Sequence, residues 1–121
     1  GYTGTFINLA VLLSSDIPPE RFLQLCRDTE RVLGAEVHSR GKDRSVDIDI
    51  ILYGSMVIRT GQLILPHPRF SRRAFVVDPM MEICPSFPVP PEGTALSEYI
   101  RREKLLGWTR IVSSRYLIGR V

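Results

Sequence analysis

The sequence has few residues with which to build covalent or metal staples. It contains two cysteines and two histidines among 121 residues. Cys26 and Cys84 form no C-x-x-C pair and have no histidine close by in the chain. That argues against a zinc site or a disulfide, and both thiols are expected to be small buried hydrophobes. No apolar run approaches the ~20 residues that a membrane helix needs, and the first residues lack the basic, apolar, small-residue pattern of a secretory signal. The expectation is a cytoplasmic protein without a membrane partner.

What is present is ordinary for a globular chain: 44% hydrophobic and 24% charged residues, with a formal net charge of +3. The length suits one domain spanning residues 1–121 with a single core. The positive balance suits an anionic ligand, but it would suit nucleic acid equally, so charge alone selects no partner.

The stretch from Arg44 to Gly54, R-S-V-D-I-D-I-I-L-Y-G, organises the rest. Read as a strand with a side-chain period of two, it puts Asp47, Asp49, Ile51 and Tyr53 on one face and Val46, Ile48, Ile50 and Leu52 on the other. Carboxylates about 6–7 Å apart along a strand repel, and strands disfavour Asp. A hard divalent cation would compensate, since Mg²⁺ takes one or two carboxylates and completes its shell with water and phosphate. Arg44 could supply a bidentate grip on phosphate. Taken alone, a bare D-x-D reads more readily as a solvated edge face bearing a surface Arg–Asp pair.

A second motif begins at Gly61 and contains L-P-H-P-R-F-S-R-R-A-F-V from Leu65 to Val76. Prolines on both sides fix the backbone around His67. A histidine so clamped beside arginines could serve structure, bond a polyphosphate or protonate a leaving oxygen. Together the two motifs resemble the signature of the 6-hydroxymethyl-7,8-dihydropterin pyrophosphokinases, folate-pathway enzymes that move a diphosphate from ATP to a pterin alcohol. The resemblance covers roughly Thr5 to Arg102.

The resemblance implies a role for each matching residue. Asp47 and Asp49 would hold Mg²⁺, and Arg44, His67 and Arg73 would neutralise charge on the transferred group. Phe6, Asn8 and Phe75 would hold the pterin, while Glu30, Lys42, Arg69 and Arg72 would lie on the nucleotide. It implies an α+β fold of ferredoxin-like kind, with a mainly antiparallel sheet and helices. The family's N-terminal strand-helix-strand does not precede Gly1. A longer chain, the segment Val112 to Ile118 or a partner chain could each supply it, so the oligomeric state stays open. In the lid loop, Ala35 and Val37 stand where the family has arginines, with Arg40 and Lys42 as substitute charges.

In chain order, Thr5 to Leu13 is expected to be an internal strand covered on both faces, and Ser14 to Ile17 a turn. Pro18-Pro19 should open a helix with an apolar stripe of Phe22, Leu25, Cys26, Val32 and Leu33, stopped by Gly34. Ala35 to Asp43 reads as a mobile basic loop. Met56 to Ile58 and Leu63 to Leu65 look like a meander. Ser71 should cap a helix through Val77, and Asp78-Pro79 should start another through Ile83. Pro85 to Gly93 reads as a loop, Thr94 as the cap of a helix reaching about Leu106, and Trp108 to Ile118 as a strand.

Two rivals to the enzyme reading share these residues. One is a nucleotide- or pterin-binding module that has lost its lid arginines. The other is a metal-dependent phosphoesterase or nuclease built on the same Asp pair.

Overall fold

The computed structural model describes residues 8–39 and 46–105. It is α+β in class. Helix α1 runs Pro19–Ser39, α2 Ala74–Ile83 and α3 Leu96–Leu105. Strands β1 (Ile58–Arg59) and β2 (Ile64–Leu65) pair antiparallel, as do β3 (Pro88–Val89) and β4 (Thr94–Ala95).

The core lies at the C-terminal side of the described chain, where α2, the β3–β4 hairpin and α3 close on one another. Phe70, Val77, Met80, Val89, Leu96 and Ile100 are buried together there, and Ile51, Leu52 and Ala10 pack against them. The first N–H groups of α3 are satisfied by the preceding loop: Leu96 N–H donates to Phe87 C=O at 2.8 Å and Ser97 N–H to Pro85 C=O at 2.9 Å. Thr94 therefore sits in β4 and does not cap α3.

Pro18 and Pro19 open α1 as expected, with Arg21 and Phe22 N–H donating to Pro18 C=O. Gly34, however, does not end it. A glycine inside a helix costs only about 1 kcal/mol relative to alanine, and Ala35 and Glu36 are good helix formers, so the helix continues to Ser39. The first part of the expected basic loop is thus helical. The expected stripe is also redistributed: Cys26 is buried and Phe22 half-buried, but Val32 is 74% exposed and Leu25 and Leu33 are also exposed.

The β1–β2 meander is present, with Ile58 opposite Leu65. Two other expected strands carry no ladder among the described residues. Residues 8–13 leave Leu9, Val11, Leu12 and Leu13 exposed, so the doubly covered strand expected there is not found among them. Residues 46–50 keep the strand's alternation, with Asp47 and Asp49 exposed and Val46, Ile48 and Ile50 half-buried. The alternation ends at Ile51, which joins Leu52 against the core. A strand needs hydrogen-bonded neighbours as well as a period, and the described residues supply no ladder to this segment.

One helix also replaces two. Pro79 lies inside α2, where it removes a backbone bond and costs about 3 kcal/mol. Burial of Val77 and Met80, each worth roughly 1.5–3 kcal/mol, offsets that cost. Ser71 is buried in a short 3-10 turn, Phe70–Arg72, while Arg73 takes the cap position of α2 without a side-chain cap bond. The segment Trp108 to Ile118 lies outside the described residues.

Candidate active site

An open cleft of about 510 Å³ lies between α1, the acidic segment, the β1–β2 turn and His67. Helix α1 contributes Leu23, Arg27 and Glu30. Their i, i+4, i+7 spacing places them on one face of the helix. The opposite wall is Asp47 to Ile50, the rim is Thr60 to Ile64, and His67 and Pro68 close one end.

The rim is shaped by Thr60. Its hydroxyl oxygen accepts from Leu63 N–H at 3.0 Å and Gln62 N–H at 3.3 Å, while Thr60 N–H donates to Leu63 C=O at 3.0 Å. The turn between β1 and β2 is thereby locked from inside, and buried Leu63 anchors it.

Hydrogen bonds tie the acidic segment to its neighbours on both sides. Ile48 N–H, between the two aspartates, donates to Glu30 Oε2 at 2.7 Å. His67 N–H donates to Ile51 C=O at 2.8 Å. Beyond the segment, Tyr53 hydroxyl donates to Ile17 C=O and its ring meets Phe22 edge-on at 6.0 Å. A positive φ of 57° at Gly54 then turns the chain into β1.

His67 Nδ1 lies 2.9 Å from Pro68 C=O. A carbonyl oxygen can only accept, so Nδ1 carries the proton and the neutral ring is left with Nε2 as its unprotonated nitrogen.

The cleft gathers Asp47, Asp49, Glu30 and His67 from three separate stretches of sequence. Asn8, Arg69, Arg72, Arg73 and Phe75 are described but do not line it. Arg69 and Arg72 are exposed, and Arg73, Phe75 and Asn8 are half-buried. Phe6, Arg40, Lys42 and Arg44 lie outside the described residues. The cleft also includes three polar residues to which motif reading gave no role: Arg27, Thr60 and Gln62. Arg27 had a usable signal, since it stands one helical turn before Glu30.

The donor set constrains the ion it could take. Among the described residues no three His, Cys, Asp or Glu side chains cluster as a metal cage. Two exposed carboxylates on one wall of an open cleft suit a cation that keeps water and ligand oxygens in most of its shell, as Mg²⁺ does, and do not suit a closed tetrahedral zinc site. The cysteines are unpaired. Burial pushes both thiols up, and the Glu30 charge adds to the effect at Cys26. Both stay protonated at neutral pH and behave as small hydrophobes.

Beneath the His67–Arg73 turn, Phe70 stacks on Tyr99 of α3 with centroids 5.8 Å apart and planes within 6°. The Tyr99 hydroxyl is pushed up to about 12, first by burial and then by its hydrogen bond to Glu103 and the charges of Glu103 and Glu92.

Comparison with known proteins identifies the family to which the chain is similar. Residues 2–85 match the family described as 7,8-dihydro-6-hydroxymethylpterin-pyrophosphokinase. The chain is 40% identical over 79 residues to the 2-amino-4-hydroxy-6-hydroxymethyldihydropteridine pyrophosphokinase of Bacillus subtilis, covering 65% of this chain and 47% of that protein. It is 33% identical over 96 residues to the enzyme of that name from Aquifex aeolicus, covering 79% of this chain and 60% of the relative. A folic acid synthesis protein of Dictyostelium discoideum is 36% identical over 83 residues, 69% of this chain and 13% of that protein. The chain thus spans about half the length of the two pyrophosphokinases.

Proposed function

We propose, since this chain belongs to the 7,8-dihydro-6-hydroxymethylpterin-pyrophosphokinase family, that it carries the nucleotide and metal side of a site that transfers diphosphate from ATP to 6-hydroxymethyl-7,8-dihydropterin. The observation that carries this reading is the shared cleft of Asp47, Asp49 and His67, which brings the two signature motifs to one place. A ferredoxin-like sheet and a cytoplasmic setting belong to the same reading.

In this reading Asp47 and Asp49 hold Mg²⁺, which when bound neutralises and orients the ATP phosphates. The pterin hydroxyl oxygen bonds to the β-phosphorus, the bond from that phosphorus to the α-bridging oxygen breaks, and AMP leaves. The protein contributes position and charge more than covalent chemistry. His67, with Nδ1–H engaged by Pro68, donates from Nε2 to the phosphate oxygens or the leaving oxygen as the imidazolium, in which both ring nitrogens carry protons. Arg44 and Arg73 supply further positive charge. Arg69, Arg72 and Lys42 attract the nucleotide, and Glu30 lies on the cleft wall where the nucleotide sits. Phe6, Asn8 and Phe75 hold the pterin by stacking and hydrogen bonding.

A second reading is a nucleotide-binding module with little turnover. Arg69, Arg72 and Arg73 all stand off the cleft, which favours it. Calorimetric titration with a non-hydrolysable ATP analogue and Mg²⁺, with and without the pterin, tests both readings. Binding of analogue and pterin together supports the transferase, binding of the analogue alone supports the module, and no binding overturns both.

A further inference from the structure

We propose that Glu30 is a positioning residue for the aspartate pair, acting through the backbone of Ile48 and not through contact with the metal. The inference rests on the functional reading above and concerns the same cleft. Its basis is the 2.7 Å bond from Ile48 N–H to Glu30 Oε2, a half-buried contact across 18 residues of sequence.

The Ile48 N–H belongs to the peptide that joins Asp47 to Ile48. Holding it fixes ψ of Asp47 and φ of Ile48, the torsions that set how the two aspartate side chains project relative to each other. The need for such a hold follows from the fold. Residues 46–50 alternate like a strand along one wall of an open cleft, with Asp47 and Asp49 exposed, so the direction of each carboxylate is set by the backbone that carries it. The His67 N–H bond to Ile51 C=O secures the far end, and Glu30 secures the middle. A carboxylate accepting from a backbone N–H makes a charge-assisted bond, roughly twice as strong as a neutral one. Helix α1 can bear the load because Cys26, one turn earlier on that face, is buried.

The choice of Glu makes the claim testable, because a third carboxylate on the same cleft adds charge as well as an acceptor. Glu30→Gln keeps the acceptor and removes the charge, whereas Glu30→Ala removes both. The experiment uses the 121-residue chain and reads two quantities: hydrogen exchange of the Ile48 amide by NMR, and Mn²⁺ affinity in the presence of a non-hydrolysable ATP analogue. Thermal melts are run on each variant to establish folding. The expected result is at least tenfold faster Ile48 exchange in Glu30→Ala, together with Mn²⁺ affinity lower by about 10–100-fold, the usual scale for an outer-shell partner. Glu30→Gln, which keeps an acceptor without the charge that strengthens the bond, should fall between wild type and Glu30→Ala in both.

Unchanged exchange or unchanged ion affinity in Glu30→Ala overturns the positioning role while leaving the functional reading intact. Glu30→Gln as damaged as Glu30→Ala overturns it in favour of direct use of the charge. If the wild-type chain takes up no Mn²⁺ with the analogue, the functional reading fails first, and the positioning role falls with it. Should Glu30→Ala fail to fold, Glu30→Gln and Glu30→Met decide: a folded Glu30→Met with wild-type ion affinity overturns the proposal.

Discussion

His67 N–H donates to Ile51 C=O at 2.8 Å, and this single bond ties the Pro-His-Pro turn to the acidic segment. The two motifs therefore form one unit, in which a proline-restricted turn borders the cleft that the aspartates line. A substitution that shifts the turn should be felt at the aspartates, and the reverse.

Asp47→Asn and Asp49→Asn should each abolish uptake of Mg²⁺-nucleotide while leaving the fold in place. Both side chains are exposed, and losing one of two repelling charges acts in the favourable direction, so at Asp49 stability should change by no more than about 0.5 kcal/mol. Calorimetry against an ATP analogue, paired with thermal melts, checks both parts. Unaltered affinity in both variants would reduce the pair to a surface feature.

The cleft was legible in the sequence to the extent that its members sit in motifs. Asp47, Asp49 and His67 were readable because a period of two and flanking prolines are local signals. Glu30 was less readable, since its Ile48 contact depends on how α1 lies against the acidic segment, which no local pattern encodes. The errors arose where tertiary burial outweighs a local signal. Gly34 marks a helix end by propensity, yet about 1 kcal/mol is too little to stop a helix. Pro79 marks a helix start, yet the burial of Val77 and Met80 carries α2 through it. Likewise Leu9 to Leu13 has the composition of a covered strand, but cover comes from neighbours that a linear pattern does not contain.

Arg69 has φ 64° and ψ 12°, a left-handed conformation that costs an L-residue roughly 1–2 kcal/mol. Arg69→Gly removes that cost at the expense of some unfolded-state entropy, so a net gain of about 0.5–1 kcal/mol in stability is expected. Under the proposed function the same variant should bind nucleotide less tightly, since a phosphate-attracting guanidinium is lost. Denaturant melts and nucleotide titration on one sample measure the two effects, and a stability loss would show that Arg69 makes contacts worth more than its strain.

Tyr99 sets an alkaline limit. Its hydroxyl titrates at about 12 in the folded protein against an ordinary value of 10. The raised value means that its contribution to stability is complete below about pH 10 and is lost as pH rises through about 12. Wild type should therefore lose stability across that window, and Tyr99→Phe should lose less of it while retaining the Phe70 stack. Urea melts at a series of alkaline pH values check this, and identical pH profiles for the two proteins would count against it.

The last expectation concerns turnover. The resemblance implies that Ala35 and Val37 take positions at which the family uses arginine, and under the proposed function that carries a cost. Losing one charge donor to a developing transition state commonly costs roughly 10²–10³ in rate, or about 2.7–4 kcal/mol. Two such losses should make this chain a slow pyrophosphokinase even where it binds ATP well, with AMP formation far below the ~1 s⁻¹ at the low end of ordinary enzymes. Restoring the charge in Ala35→Arg and Val37→Arg, singly and together, should raise AMP formation from ATP and 6-hydroxymethyl-7,8-dihydropterin by at least tenfold per site, with little change in affinity for the ATP analogue. That split matters because an arginine acting on the transition state raises kcat, whereas one that merely attracts the nucleotide lowers KM. Wild-type turnover at 1 s⁻¹ or above would show that Arg40, Lys42 and Arg72 already replace the missing charge. A double variant that binds the analogue and the pterin yet forms no AMP would move the weight to the binding-module reading.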